Sequence, residues 1–89
     1  MKNTNLSIEF RYEAPEAKQV ALVGDFTNWD EQPIQLRRTR NGTWSKKVAL
    51  PRGRHQYRFQ VDGLWQDDPG CGQRTPNPFG TQNCIVEVE

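Results

Sequence analysis

Residues 55–68, HQYRFQVDGLWQDD, contain a strand pattern, a tight turn and a returning strand, and they decide the fold class. Ring and apolar side chains alternate with polar ones as far as Val61, as in a strand with one buried face. Asp62-Gly63 then predicts a two-residue hairpin turn. The register of such a turn defines three cross-strand pairs, namely Val61 with Leu64, Gln60 with Trp65 and Arg58 with Asp67.

This register predicts that Trp65 faces outward. Val61 has the parity of the core-facing Tyr57 and Phe59, so Leu64 opposite it should face the core as well. Trp65 then lies on the other face, together with Gln60, Arg58 and Asp67. An alternative is that the loop at residues 69–80 folds over the indole and buries it.

Further strand patterns occur along the whole chain, and almost none of it has a helical period. Asn41-Gly42 predicts a second hairpin, and residues 69–80 are too rich in Gly and Pro for regular structure. We therefore expect an all-β antiparallel β-sandwich, with residues 1–6 as a flexible N-terminal segment and 7–89 as one domain. The other predicted strands are residues 7–12, 20–24, 34–38, 43–50 and 83–89.

Composition excludes several function classes. The 89 residues carry 12 basic and 11 acidic side chains, a balance that argues against a dedicated nucleic-acid binder. No apolar run is long enough for a membrane span, and the first residues lack a signal peptide's apolar region. If Met1 is the native start, a cytoplasmic location follows. We accordingly expect two free thiols at Cys71 and Cys84, and no metal or cofactor, since there is one histidine.

The last strand supplies a second group of outward side chains. Glu87 and Glu89 suit solvent and Val86 and Val88 suit the core, so odd positions face outward. Extended back through Gly80, this parity places an aromatic, a hydroxyl and an amide on one face: Phe79, Thr81 and Asn83. The alternative is a polar strand entry without a binding role.

Residues 24–30, GDFTNWD, place two aromatic rings in the loop after a buried strand. One ring should close the edge of the core and the other should project, although both could be core. An exposed indole in such a loop offers a flat surface for stacking.

Catalysis is not indicated. Asp62, Asp67 and Asp68 could suggest the carboxylate pair of a glycoside hydrolase. However, the turn requires Asp62, and so small a sandwich offers no concave active site. His55 has core parity and is expected to be a buried neutral histidine with a hydrogen-bond partner, and the basic hairpin at residues 37–47 is expected to be solvated.

The predicted outward side chains suit a sugar. The C–H face of a sugar ring packs on an indole, and its hydroxyls accept hydrogen bonds from Arg, Asn and Thr. Three stretches then resemble the glycogen-binding domain of the AMP-activated protein kinase β subunit and the early-set domains of isoamylases and branching enzymes, grouped as carbohydrate-binding module family 48. They are VALVGDFTNWDEQPIQL, LPRGRHQYRFQVDGLWQDDP and FGTQNCIVEV, which together span about Val20 to Val88.

The resemblance implies an immunoglobulin-like early-set sandwich that binds α-1,4-glucans such as glycogen, starch, maltooligosaccharides or cyclodextrin. It identifies Trp29 and Trp65 as stacking platforms, Arg58 at the position of the family's binding lysine, and Thr81 and Asn83 as the hydroxyl-binding pair. Phe79 stands where the family has Leu, and Phe26 matches the inward ring of the loop.

We therefore expect a non-catalytic glucan-binding module without a cofactor. An alternative is an early-set interaction or scaffold domain that docks on a glucan-metabolising enzyme or kinase complex, with the hairpin at residues 37–47 as its docking edge. Neither nucleic acid nor a membrane is an expected partner.

Overall fold

The computed structural model describes residues 5–89, which form nine strands, two short 3-10 helices and no α-helix. The 3-10 helices are Asp25–Thr27 and Trp29–Glu31. The strands are β1 (Leu6–Glu13), β2 (Val20–Gly24), β3 (Ile34–Gln35), β4 (Arg37–Arg38), β5 (Thr43–Leu50), β6 (Gly53–Val61), β7 (Leu64–Gln66), β8 (Arg74–Pro76) and β9 (Gln82–Val88).

The strands form two antiparallel sheets. One has the order β1-β5-β4, and the other has the order β3-β2-β6-β9-β8, with β7 also paired to β6. The segment 34–38, expected as a single strand, instead contributes β3 to the second sheet and β4 to the first, with the buried Leu36 between them. These two sheets confirm the predicted all-β, immunoglobulin-like antiparallel sandwich.

Aromatic contacts join the inward faces of the two sheets. Phe10 on β1 meets the ring of Tyr57 on β6 edge-on, with 5.1 Å between centroids, and Tyr12 lies 5.1 Å from Phe59. Each contact links one sheet to the other, so the alternation in β1 and β6 directly builds the core. The remaining fully buried side chains of this core include Val20, Leu22 and Cys84.

Strand β2 is buried over its whole length, as its continuous apolar run predicts. Ala21 and Val23 lie outside the core cluster, on the face that they share with their partners Gln60 and Arg58. The 3-10 segments that follow pack back against β2. The segment containing Trp29 therefore lies next to β2.

The segment at residues 69–80 is more ordered than expected. Residues 74–76 form β8, which pairs with β9 through Arg74–Cys84, Thr75–Asn83 and Pro76–Gln82. Pro76 is tolerated because β8 is an edge strand, where a missing N–H costs no ladder partner. The prediction of wholly irregular structure here was therefore wrong.

The prediction of two free thiols is also wrong in this structure, where Cys71 and Cys84 form a disulfide with Cα atoms 6.0 Å apart. That separation falls within the range a disulfide can bridge. The bond joins the loop before β8 to the buried centre of β9. The prediction of free thiols was based on an expected reducing compartment. The pairing of β8 with β9, in which Arg74 lies opposite Cys84, brings Cys71 close to Cys84.

The flexible segment expected at residues 1–6 falls mostly outside the described residues, and β1 begins at Leu6. The division of the chain at residue 7 therefore stays a prediction. Within residues 5–89, no helix is long and apolar enough to cross a membrane.

Candidate binding site

The β6–β7 hairpin has the predicted register, with Val61 opposite Leu64 and Gln60 opposite Trp65. Asp62 and Gly63 both have positive φ, 50° and 84°, as a tight hairpin turn of this type requires. The Asp62 carboxylate also accepts hydrogen bonds from the backbone N–H groups of residues 18 and 19, at 2.8 and 2.9 Å. Asp62 thus fixes the hairpin to the preceding turn.

Trp65 is exposed, as the register predicts, with 40% of its surface accessible. The alternative in which residues 69–80 bury the indole is not what the structure shows. Leu64, however, is 66% exposed, so its predicted place in the core was wrong. The register determines that Leu64 lies on the same face as Val61. Burial also requires another part of the protein to pack on that face, and at Leu64 the side chain stays exposed.

Arg58 lies beside Trp65 with a largely buried side chain, of which 12% is exposed. Its Nη2 lies 3.0 Å from Asp67 Oδ1, which confirms the predicted cross-strand pair. Its guanidinium carbon lies 5.7 Å from the Trp65 ring centroid, within cation–π range. Nε is buried without a protein partner among the described residues. The guanidinium is thus held in place while the indole stays accessible.

Thr81 adjoins the same guanidinium. Its Oγ1 lies 3.4 Å from Arg58 Nη1, and it accepts a shorter hydrogen bond, 2.7 Å, from Asn77 Nδ2. The residue is exposed. Arg58 therefore contacts both Trp65 and Thr81, two of the predicted site residues.

Asn83 lies on the predicted face but is buried, with 7% of its surface exposed. Its Oδ1 accepts from Asn77 Nδ2 at 3.0 Å, and its Nδ2 donates to Gln56 Oε1 at 3.0 Å. An amide offers two N–H donors and two oxygen lone pairs, so one donor and one lone pair are left. Full solvent exposure, as parity alone indicates, is therefore wrong for Asn83.

Asn77 organises this corner, and the sequence analysis missed it. Its Oδ1 accepts from the backbone N–H groups of Phe79 and Thr81, at 3.0 and 3.1 Å, while Nδ2 bonds Thr81 and Asn83. The signal was available in Asn77-Pro78, because Asn before Pro favours turn initiation and its side chain caps nearby backbone groups. Asn77 positions three of the predicted site residues at once.

Phe79 is 89% exposed, at the tip of this turn. It joins the hydrogen-bonded network through its backbone N–H alone. The ring of Phe79 is therefore accessible to a ligand.

The two rings of the loop after β2 are both half-buried, so a projecting Trp29 stays a prediction. Phe26 packs inward, 6.0 Å from Phe10 and edge-on to His55, and it sits over Gly24, where a Cβ would lie 2.7 Å from the ring. Trp29 is half-buried and lies outside the hydrogen-bonded network of Asn77. The Thr27 hydroxyl lies 2.7 Å from the Trp29 carbonyl oxygen and fixes the backbone there.

The acidic side chains in the same region have structural partners. Asp67 pairs with Arg58 and, at 3.4 Å, with Arg74. Asp68 accepts a 2.6 Å hydrogen bond from the buried Tyr57 hydroxyl. Burial and this bond to a carboxylate raise the pKa of Tyr57 above its ordinary value.

His55 is a packed histidine, as expected: its Nε2 lies 2.9 Å from the Pro51 carbonyl oxygen, with 14% of the side chain exposed. Because a carbonyl only accepts, Nε2 carries the proton in this contact. Within residues 5–89, no three His, Cys, Asp or Glu side chains are grouped to hold a metal. The arrangement thus offers stacking and hydrogen bonding.

Comparison with known proteins gives this arrangement a context. Residues 6–89 match the family described as the glycogen recognition site of AMP-activated protein kinase. The chain is 37% identical over 84 residues to the 1,4-alpha-glucan branching enzyme of Lactobacillus acidophilus, covering 89% of this chain and 13% of that enzyme. It is 42% identical over 72 residues to the 5'-AMP-activated protein kinase subunit beta-1 of Sus scrofa, covering 81% and 56%. The human beta-1 subunit is also 42% identical over 72 residues, covering 81% and 25%.

Proposed function

We propose a function from one premise: the chain belongs to the family of the glycogen recognition site of AMP-activated protein kinase, which is a carbohydrate-binding module and not an enzyme. The finer proposal is that it binds α-1,4-glucans, such as glycogen, starch, maltooligosaccharides and cyclodextrin. The proposed binding residues are Trp29, Arg58, Trp65, Phe79, Thr81 and Asn83.

The observation that carries the proposal is the grouping of Trp65, Arg58 and Thr81 on one outer face. The guanidinium of Arg58 is in contact with the accessible indole of Trp65 and with the hydroxyl of Thr81. The indole offers a stacking face for the C–H side of a glucosyl ring, and the guanidinium and the hydroxyl supply hydrogen-bonding groups for the ring's hydroxyls.

The other residues extend this surface in different ways. Phe79 presents an exposed ring from the turn that Asn77 fixes, beside Thr81. Asn83 has one donor and one lone pair left for a hydroxyl. Trp29 lies in the 3-10 segment next to β2, and Val23 of β2 pairs with Arg58 of β6. Trp65 lies on β7, which also pairs with β6, so Trp29 is the proposed second indole on the β2 side of β6.

Binding should be weak for a short chain. If the rings together bury on the order of 150 Å² of apolar surface, the gain is roughly 4 kcal/mol at about 25 cal/mol per Å². Hydrogen bonds to hydroxyls add about 1 kcal/mol each, because water is displaced, and association costs several kcal/mol. We expect a Kd on the order of micromolar to millimolar for a short chain. Repeated sites on a polymer should raise the apparent affinity.

Intrinsic tryptophan fluorescence tests the proposal. Maltoheptaose or β-cyclodextrin is added to millimolar concentration, and we expect a saturable change in emission. Trp44 is 7% exposed and donates Nε1 to the Ala14 carbonyl oxygen, so it supplies a constant core signal. The absence of any change in the native protein would refute glucan binding.

Variants locate the signal. Trp65→Ala and Trp29→Ala should each weaken binding by about tenfold or more, with isothermal calorimetry as the measurement where fluorescence is lost. Leu64→Ala is the control, because it removes another exposed apolar side chain from the same strand. Equal losses in Leu64→Ala and Trp65→Ala would argue against stacking on Trp65.

A partner is proposed from the length of the relatives. The chain spans 13% of the branching enzyme and about half of the Sus scrofa subunit that it matches. We propose that the module acts beside a glucan-metabolising enzyme or within a kinase complex and brings it to a glucan. A docking domain without glucan binding is favoured only by the exposed basic hairpin at residues 37–47. Co-purification that persists in excess maltoheptaose would distinguish docking from glucan bridging.

A cytoplasmic location stays part of the proposal. Disulfides are rare in the cytosol, so the Cys71–Cys84 bond is relevant here. Thiol labelling of the protein in its own cells gives the test: two labelled thiols support a reducing compartment, and protected thiols point to an oxidising one.

A further inference from the structure

The outer face of the second sheet continues beyond Asn83 into a cavity of about 280 Å³ that no predicted site residue lines. Four side chains surround it: Arg54 and Gln56 on β6, Thr75 on β8 and Ile85 on β9. Cross-strand pairing places Gln56 beside Ile85 and Thr75 beside Asn83. The cavity is therefore the next position along the same face.

The side chains that line the cavity are chemically similar to those of the site at Trp65, Arg58 and Thr81, with a smaller apolar group. The half-buried Ile85 supplies an apolar patch, and the other three side chains supply a guanidinium, an amide and a hydroxyl. An apolar patch with polar groups around it suits a sugar ring, which has C–H faces and a hydroxyl edge.

Several of these polar groups are free to bind. Arg54 has a side chain that is 63% exposed, and within residues 5–89 its only polar contacts are a 3.6 Å ion pair with Glu87 and a 3.3 Å hydrogen bond to Gln73. Gln56 uses its Oε1 for Asn83, whereas its amide nitrogen has no protein partner in the described part of the chain. The Thr75 hydroxyl likewise has no hydrogen bond to residues 5–89 in the structure. Gln56 and Thr75, which line the cavity, thus keep donors without a partner in the described part of the chain.

One hydrogen bond connects the cavity to the first site. Asn83 Nδ2 donates to Gln56 Oε1 at 3.0 Å, so Asn83 is hydrogen-bonded directly to a residue that lines the cavity. Along β6, Gln60, Arg58, Gln56 and Arg54 follow one another on the same face, at about 6.6 Å per pair of residues. A linear ligand that leaves Trp65 along this row reaches the cavity after passing Arg58 and Asn83.

We propose that this cavity is a second subsite, which takes further glucosyl units of the same α-1,4-linked chain. The proposal rests on the proposed glucan binding at Trp65. It predicts that a linear chain long enough to cover both positions gains affinity from Arg54 and Thr75. A closed ring such as β-cyclodextrin, which cannot extend along β6, gains nothing from them.

Calorimetry with three ligands tests this subsite: β-cyclodextrin, maltotetraose and maltoheptaose. In the native protein, maltoheptaose should bind more tightly than maltotetraose. Thr75→Val and Arg54→Gln should each reduce this difference by roughly two- to tenfold, the equivalent of about one net hydrogen bond. Both should leave β-cyclodextrin affinity unchanged. Arg37→Gln is the charge-matched control, because it removes an exposed arginine from the other sheet.

The outcomes separate the two proposals. If the length dependence is the same in native protein and both variants, the second subsite is refuted while glucan binding stands. The same follows if maltoheptaose gains nothing over maltotetraose although β-cyclodextrin binds. If none of the three ligands binds, both proposals fail. Arg54 is exposed, so Arg54→Gln keeps the test valid even if Thr75→Val destabilises the edge strand.

Discussion

The guanidinium carbon of Arg58 lies 5.7 Å from the ring centroid of Trp65, across the β6–β7 hairpin. The same guanidinium forms an ion pair with Asp67, so its position is set by the protein before a ligand arrives. A group fixed in this way loses little conformational entropy on binding, and that favours affinity at a shallow surface. The relationship makes Arg58 the first residue to test.

Replacing Arg58 should separate charge from geometry. Arg58→Ala should weaken maltoheptaose binding by about tenfold or more, because hydrogen bonds from a charged donor are worth about 1.5–3 kcal/mol. Arg58→Lys keeps the charge but lacks the fork of donors, so an intermediate loss is expected. Arg37→Ala serves as the control in calorimetry, and an Arg58→Ala affinity equal to native would contradict the role.

Phe79→Ala should change binding without changing stability. The ring is 89% exposed, so little packing is lost and the free energy of unfolding should stay within about 0.5 kcal/mol of native. Glucan affinity should fall by roughly three- to tenfold, since a ligand-covered aromatic contributes apolar area. Denaturant titration and calorimetry on the same preparation provide both values. A large stability loss with normal binding would show a structural role instead.

The disulfide should stabilise the domain. Cys71 and Cys84 are 13 positions apart, and a loop of that order is worth roughly 3 kcal/mol. Cys71→Ala should therefore lower the free energy of unfolding by about 2–4 kcal/mol in oxidising buffer. In dithiothreitol, native protein and variant should unfold alike. A difference that persists in reductant would indicate packing of Cys71 as the cause.

Tyr57 should make stability sensitive to alkaline pH. Its pKa is raised in the fold, chiefly by burial, above the ordinary value of 10.0. As the pH rises above about 10, the unfolded state loses this proton while the folded state keeps it, so stability falls. Tyr57→Phe should show a smaller decline between pH 9 and 11 in urea titrations, with Tyr12→Phe as the control. Parallel pH curves for native and Tyr57→Phe would contradict this assignment.

Local chemistry was sufficient to predict the hairpin that carries Trp65. Asp62-Gly63 determined the register, and the register determined that Trp65 is exposed and that Arg58 lies beside it. It was insufficient for Leu64, because exposure there depends on which strands cover β7. The alternation of side chains along a strand indicates which face a residue lies on. Whether that face is buried depends on how the strands of the whole sandwich pack.

Non-local contacts account for the other errors. Asn83 has the outward parity of β9, but Asn77 and Gln56 enclose it from other strands. The bond between Cys71 and Cys84 depends on β8 pairing with β9, in a segment whose Gly and Pro content conceals a short edge strand. Neither arrangement has a signature at short sequence separation, so neither could be predicted from pattern alone.

A chemical-shift map with a linear maltooligosaccharide tests glucan binding most directly. Maltoheptaose is titrated into ¹⁵N-labelled native protein, and backbone and side-chain N–H signals are followed. We predict that the largest shifts occur at the indole N–H groups of Trp29 and Trp65 and at Arg58, Thr81 and Asn83. The Trp44 indole and the strands β1, β4 and β5 should stay unchanged. Shifts confined to the β1-β5-β4 sheet, or none at millimolar sugar, would contradict it.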